Sequence, residues 1–177
     1  MVNQLQQTKL AYLAQKLGFD LKDTQQTHRR VYDTVDITGA GQFSFFTDFA
    51  GKTLQQTNLT SGKLDSSEAF VIKQVSLSDT SQLLRTNANF LSIIVGGQTV
   101  VKKFPLQFAG NDLHFEQITQ TIDGVDESEM ISFRLLTNIV VPPQVEFQVV
   151  LETVGQGGVT SLMLDGYGVI FNPQMSL

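Results

Sequence analysis

From residue 31 onward the chain changes to a period of two, and that change limits the folds open to it. Val31, Val35 and Ile37 alternate with polar residues, and Phe43, Phe45 and Phe49 do the same within QFSFFTDF. Alternation at this period places one side-chain set on one face of a strand. EAFVIKQVSLS carries Phe70 and Ile72 on one parity and Val75 and Leu77 on the other, which predicts a bulge or a two-sided strand. ANFLSIIVGGQTVVKKFPLQF reads as two strands around Gly96-Gly97, since paired glycines supply the positive φ angles of a tight hairpin. Pro105 cannot donate to a ladder, so the second of these strands is an edge or ends there. DLHFEQI, MISFRLL, VEFQVVLET and SLMLDGYGVIF bring the strand candidates to about nine, with turn residues between them. Short strands without intervening helices predict an antiparallel sandwich or barrel, not a parallel α/β sheet. No fixed-period repeat points to a propeller or solenoid.

Only the start of the chain reads as helix. Leu10, Leu13, Ala14, Leu17 and Leu21 share one helical face, with Asn3 as N-cap and Gly18 at the C-terminal end. The spacing predicts a helix over about 4–17. Such a helix is marginal alone in water, so its leucine face must dock on its own sandwich, on a neighbouring subunit or on a lipid surface. The expected organisation is an N-terminal helical arm over 1–30 and a single β-sandwich domain over 31–177.

Composition bears on what the domain meets. Charged residues are 16% of the 177, against about a quarter in ordinary soluble domains. Gln, Thr, Ser and Asn supply the polar surface instead, and uncharged groups lose less than ions when a neighbour covers them. That favours assembly. A net charge of −5 does not suit broad phosphate binding, so no specific nucleic-acid binding is expected. There is no Cys, hence no disulfide, thiolate metal site or thiol nucleophile. No run approaches the ~20 apolar residues of a membrane span, and the first residues lack a signal-peptide core. The expectation is a chain made in the cytoplasm.

The search for chemistry singles out few residues. His28 and His114 lie far apart; His114 and Glu116 form a strand His-x-Glu pair able to bind metal, against the commoner surface histidine. There is no G-x-S-x-G, P-loop or G-x-G-x-x-G, and VGQGGVT sits between two strand candidates, where a turn is expected. The acidic stretch Asp123, Asp126, Glu127 and Glu129 is the best calcium candidate, although acids between strands ordinarily form a solvated loop. His28-Arg29-Arg30 follows the predicted helix and reads as solvated positive charge, or as a contact for nucleic acid, lipid headgroups or an acidic neighbour. No catalytic, cofactor or metal residues are assigned, and an enzyme is not expected.

Three stretches carry a family resemblance. They are QQTNLTSGKLDSSEAFVIKQVSLS, with Thr57-Asn58-Leu59, Gly62-Lys63-Leu64 and Phe70-Val71-Ile72; VPPQVEFQVVLE, with Pro142-Pro143 before Phe147, Val149 and Leu151; and LMLDGYGVIFNP, with Leu164-Asp165-Gly166 and Phe171-Asn172-Pro173. In this order, over roughly 42–173, the chain resembles jelly-roll major capsid proteins of tailless icosahedral bacteriophages, often lipid-containing. Many of those hold two jelly rolls in one chain, and this chain has room for one. It looks like the single-jelly-roll kind, in a major role or as a vertex component. The resemblance implies an antiparallel eight-stranded jelly-roll sandwich with a short N-terminal helical arm. One of the nine strand candidates is then surplus, either DLHFEQI or the run from Val31 to Ile37.

The resulting expectation is a capsid subunit of a virion that self-assembles into capsomers. Its partners would be other copies of itself, a second coat or vertex protein, and an internal membrane reached through the arm, with Leu10, Leu13 and Leu17 as the arm's contact face. The alternative is a β-sandwich binding module, such as the carbohydrate- or receptor-binding domain of a phage fibre. Against it stand the absence of Trp and only three Tyr, since sugar sites stack on aromatic faces. A cupin-type enzyme would need two or three histidines converging on one metal, and the chain has two in all.

Overall fold

The computed structural model describes residues 24–79, 89–106, 129–156 and 158–171. They form eight strands: β1 (Thr24–Asp36), β2 (Gly39–Phe45), β3 (Glu68–Asp79), β4 (Phe90–Val95), β5 (Gln98–Pro105), β6 (Glu129–Val141), β7 (Phe147–Gln156) and β8 (Val159–Phe171). All pairings are antiparallel. The strands make two four-stranded sheets, in the orders β1-β8-β3-β6 and β2-β7-β4-β5. This is a jelly-roll sandwich: except at the β4–β5 hairpin, each strand is followed in the chain by one in the other sheet.

The alternation seen in the sequence is what closes the core. Val31 of β1, Leu162 and Leu164 of β8, Phe70 and Ile72 of β3, and Ile131 and Phe133 of β6 point inward from the first sheet. Phe45, Leu91, Ile93, Phe147, Val149 and Leu151 meet them from the second. Each such side chain withdrawn from water contributes about 1.5–3 kcal/mol before the entropy of ordering is set against it.

Several local expectations hold. Gly96 and Gly97 turn the β4–β5 hairpin with φ of 59° and 76°. Pro105 ends β5, which is the outer strand of its sheet. The change of parity in β3 is a bulge: its register against both β6 and β8 shifts between Ile72 and Gln74. VGQGGVT links β7 to β8, with Gly155 and Gly158 at φ of 129° and 119°.

Two expectations need correction. The run from Val31 to Ile37 is not surplus, because most of it lies in β1, paired to β8 along its whole length. The pairing begins at Thr24, so His28, Arg29 and Arg30 are strand residues. Period two is hidden there because the stretch is largely exposed on both faces and carries no apolar side to reveal it. The other surplus candidate, DLHFEQI, lies outside the described residues, as does the predicted helix over 4–17 with Leu10, Leu13 and Leu17.

Candidate assembly surfaces

The two lateral sides of the sandwich are built differently. On the β1 side, the long connection from β2 to β3 is drawn back over the edge of the sheet. Its anchor is Asp33, fully buried although charged. The Asp33 carboxylate accepts the Phe46 N–H at 2.7 Å and the Lys52 ammonium at 2.6 Å. Phe46 meets it from a left-handed backbone conformation, φ 65°, which an L-residue holds only when its surroundings impose it. Thr57 forms a backbone bridge with Asp33, and its hydroxyl donates to the Tyr32 carbonyl at 3.0 Å.

Asn58 completes the cover. Its amide donates to the Arg30 carbonyl at 2.7 Å and accepts the Tyr32 N–H at 3.0 Å. One side chain thus occupies the two backbone groups that a neighbouring strand would take. The Tyr32 hydroxyl donates to the Leu54 carbonyl. The far end of the connection is tied to the turn before β7: the Phe147 N–H donates to the Gly62 carbonyl at 3.1 Å, and the Gln144 N–H to the Leu64 carbonyl at 3.1 Å.

The opposite side is formed by β5 and β6, each the last strand of its sheet. Phe104 and Phe133 stack between them, centroids 4.7 Å apart, and hold the two sheets together there. No described segment pairs with the outer edge of either strand. β5 is instead irregular: its register against β4 shifts twice, and Lys103 has φ 47° with its N–H donated to the Ser92 hydroxyl at 3.0 Å. Bulges and lysines deter unlimited strand addition at an open edge. On β6, residues 135–138 leave the ladder with β3, and Leu136 projects with 99% of its surface exposed. Val100 of β5 is 49% exposed. Contact with a neighbour on this side would bury modest apolar area within a polar rim, as non-obligate interfaces do.

A cleft of about 570 Å³ opens at the end of the sandwich that carries the β4–β5 hairpin. Phe46 and Phe147, 5.4 Å between centroids, lie at its floor, and the Lys63–Glu146 pair at 3.2 Å stands at its wall.

The remaining candidates fall as follows. His28 is exposed on β1. Arg29 pairs with Glu68 at 2.5 Å and Arg30 with Asp165 at 2.7 Å, so both arginines of the basic cluster are engaged within the chain. His114, Glu116, Asp123, Asp126 and Glu127 lie outside the described residues, and of Glu129 only the backbone, opening β6, is described. Among the described residues no three His, Asp or Glu side chains are grouped to hold a metal ion. Sequence reasoning passed over Asp33 and Lys52, and met Asn58 only as part of the resemblance, with no role. Asp33 did carry a signal, a charge on the same parity as Val31 and Val35.

No family model matches the chain, and no curated protein matches it. Among solved structures the chain is weakly similar to the infectious bursal disease virus VP2 subviral particle, with TM-score 0.23 and 12% identity over 84% of this chain. It is also weakly similar to T=1 particles derived from infectious bursal virus, with TM-score 0.21 and 16% identity over 81% of this chain. The chain spans about a third of the length of each, 34% and 32%.

Proposed function

We propose that this chain is a viral structural protein, a capsid subunit that self-assembles through the sides of its sandwich into the capsomers of an icosahedral shell. The observation that carries the reading is the pairing order, β1-β8-β3-β6 against β2-β7-β4-β5. It makes an eight-stranded, two-sheet antiparallel sandwich of the class that the resemblance in the sequence implied, reached here from backbone pairing. Two further features support it. One lateral side is sealed by the chain itself, while at the other no described segment pairs with the outer strands and Leu136 and Val100 are exposed. The polar surface is poor in charge, so covering it with a like copy costs less desolvation than covering a charged surface would.

In this reading the subunit performs no chemistry. Many weak, wet contacts form reversibly, and closure of the shell makes them collectively stable. The arm, with Leu10, Leu13 and Leu17, extends the contact to a neighbour, a second coat protein or an underlying membrane.

Electron microscopy and light scattering of the purified full chain across a concentration series test the proposal. Closed shells or uniform capsomers are expected, and a particle that stays monomeric at high concentration would rule it out. Deleting residues 1–20 should leave a folded β domain by circular dichroism and lower the yield of shells. Normal shell yield from the truncated chain would remove the arm from the mechanism.

The rival reading, a binding module, draws on the end cleft beside Phe46 and Phe147. It requires a discrete monomer or trimer that binds a ligand there, and ligand titration of the discrete species, read beside the light-scattering series, distinguishes it from a capsomer.

A further inference from the structure

The first sheet is broken at its centre, and the break makes a second cleft, of about 400 Å³, on its outer face. On β3 the ladder runs Ile72 to Ile139 and then Gln74 to Arg134, so Lys73 stands opposite the four residues 135–138 that β6 throws outward. Against β8 the same strand runs Ile72 to Gly166 and then Gln74 to Asp165, again stepping over Lys73. Gly166 passes so close to β3 that an added Cβ would lie 1.8 Å from the Val71 carbonyl oxygen. Only glycine fits, so the close approach is part of how the bulge is built. Bulges re-aim a side chain, and the one re-aimed here is Lys73.

The cleft collects cations that have no acidic partner. Among the described residues, Arg29, Arg30, Lys52, Lys63 and Lys103 each lie within 3.2 Å of a carboxylate. Lys73, Lys102 and Arg134 are paired with none, and two of these three, Lys73 and Arg134, line this one cleft. The Lys73 ammonium donates to the Tyr167 hydroxyl and lies 4.1 Å from the centroid of that ring, which orients it without neutralising it. The one carboxylate in the lining, Asp165, is already held by Arg30 at 2.7 Å. His28 from β1 and the Asn138 amide from β6 add further polar groups. In a chain of net charge −5, these two cations without counter-charges share one concave site to which all four strands of the sheet contribute.

We propose that this cleft binds a phosphate-type oxyanion, either inorganic phosphate or the phosphomonoester of a larger molecule. A planar guanidinium and an ammonium together match the charge of a phosphate dianion, and the amide and imidazole extend the set of partners around a tetrahedral ligand. A carboxylate carries one charge and leaves one cation unanswered. The site is independent of the assembly reading: a monomeric protein could carry it, and a capsid subunit could lack it.

The test is titration of the full chain with inorganic phosphate, followed by amide and side-chain NMR shifts, beside acetate at matched ionic strength. Saturable one-to-one binding that moves the signals of Lys73, Arg134 and Asn138 is expected. Arg134→Gln, at an exposed position, should weaken binding about tenfold or more, as should Lys73→Met. Lys102→Gln, which removes the unpaired cation outside the cleft, should leave it unchanged. Soluble glycerol 3-phosphate and vesicles containing phosphatidic acid offer the same headgroup free and membrane-held, and preferential binding to one identifies the source. Non-saturable shifts, equal loss in Lys102→Gln, or acetate binding as tightly as phosphate would overturn the assignment.

Discussion

The side of the sandwich at β1 and the side at β5 and β6 face the same physical problem and treat it in opposite ways. Both end in strands whose outer backbone groups pair with no further strand among the described residues. At β1 the problem is removed inside the chain, because Asn58 takes the Arg30 carbonyl and the Tyr32 N–H, and the pair of buried Asp33 with half-buried Lys52 keeps the covering segment in place. At β5 and β6 it is only moderated, by register shifts, lysines and an outward excursion. The first solution satisfies the strand's backbone within the chain, although Leu54 of the cover is 80% exposed. The second prevents indiscriminate strand addition yet leaves apolar groups such as Leu136 exposed to a partner.

The sharpest way to break the contrast is to remove the anchor of the closed side. Lys52→Met leaves the Asp33 carboxylate buried with no cation beside it. Separating a buried pair in this way costs about 3–5 kcal/mol. Urea denaturation should show that loss, and limited proteolysis should find new cutting between β2 and β3. If stability fell by less than about 1 kcal/mol, the covering segment would be held by Thr57, Asn58 and the ties at Gly62 and Leu64 instead.

The sequence could disclose some of this and not the rest. Gly96-Gly97, Pro105 and the parity change across Lys73 are local signals, because a turn, a strand end and a bulge each depend on a few adjacent residues. Which strands pair is not local. β1 and β8 meet residues more than a hundred positions apart, such as Val31 and Leu164, and alternation is the same whatever the partner. The cover over β1 was hidden for another reason. Thr57, Asn58 and Lys52 have no periodicity, and only the buried position of Asp33 gives them a target. The oxyanion cleft was hidden twice over, since Lys73, Arg134 and His28 come together only after all four strands of the sheet align.

A smaller effect is expected at Asn58. Asn58→Ala removes two hydrogen bonds from an exposed site, where water can replace them, so a loss of about 1–2 kcal/mol is expected in the same urea experiment. If the chain assembles as proposed, the more telling consequence is the shape of the assembly. With the Arg30 carbonyl and Tyr32 N–H released, the β1 edge becomes a second surface for strand addition. Irregular, open aggregates should appear beside ordered particles in micrographs. Ordered particles alone, at the usual yield, would mean that the edge is protected by something other than Asn58.

The least effect on the fold, and the most direct test of the open side, comes from Leu136→Glu. Leu136 makes no contribution to the core that its 99% exposure would allow, so the urea midpoint should move by the equivalent of no more than about 0.5 kcal/mol. An interface is another matter. A carboxylate placed where two acidic copies meet must be desolvated without a partner, and each chain already carries a net charge of −5. Shell or capsomer yield should therefore fall while the monomer stays intact, and added salt should recover part of it by screening. If yield is untouched, this stretch of β6 is not a contact between copies, and the excursion at 135–138 serves only to wall the cleft beside Lys73. The same substitution thus separates two uses of one irregularity, because phosphate titration of the variant reports on the cleft alone.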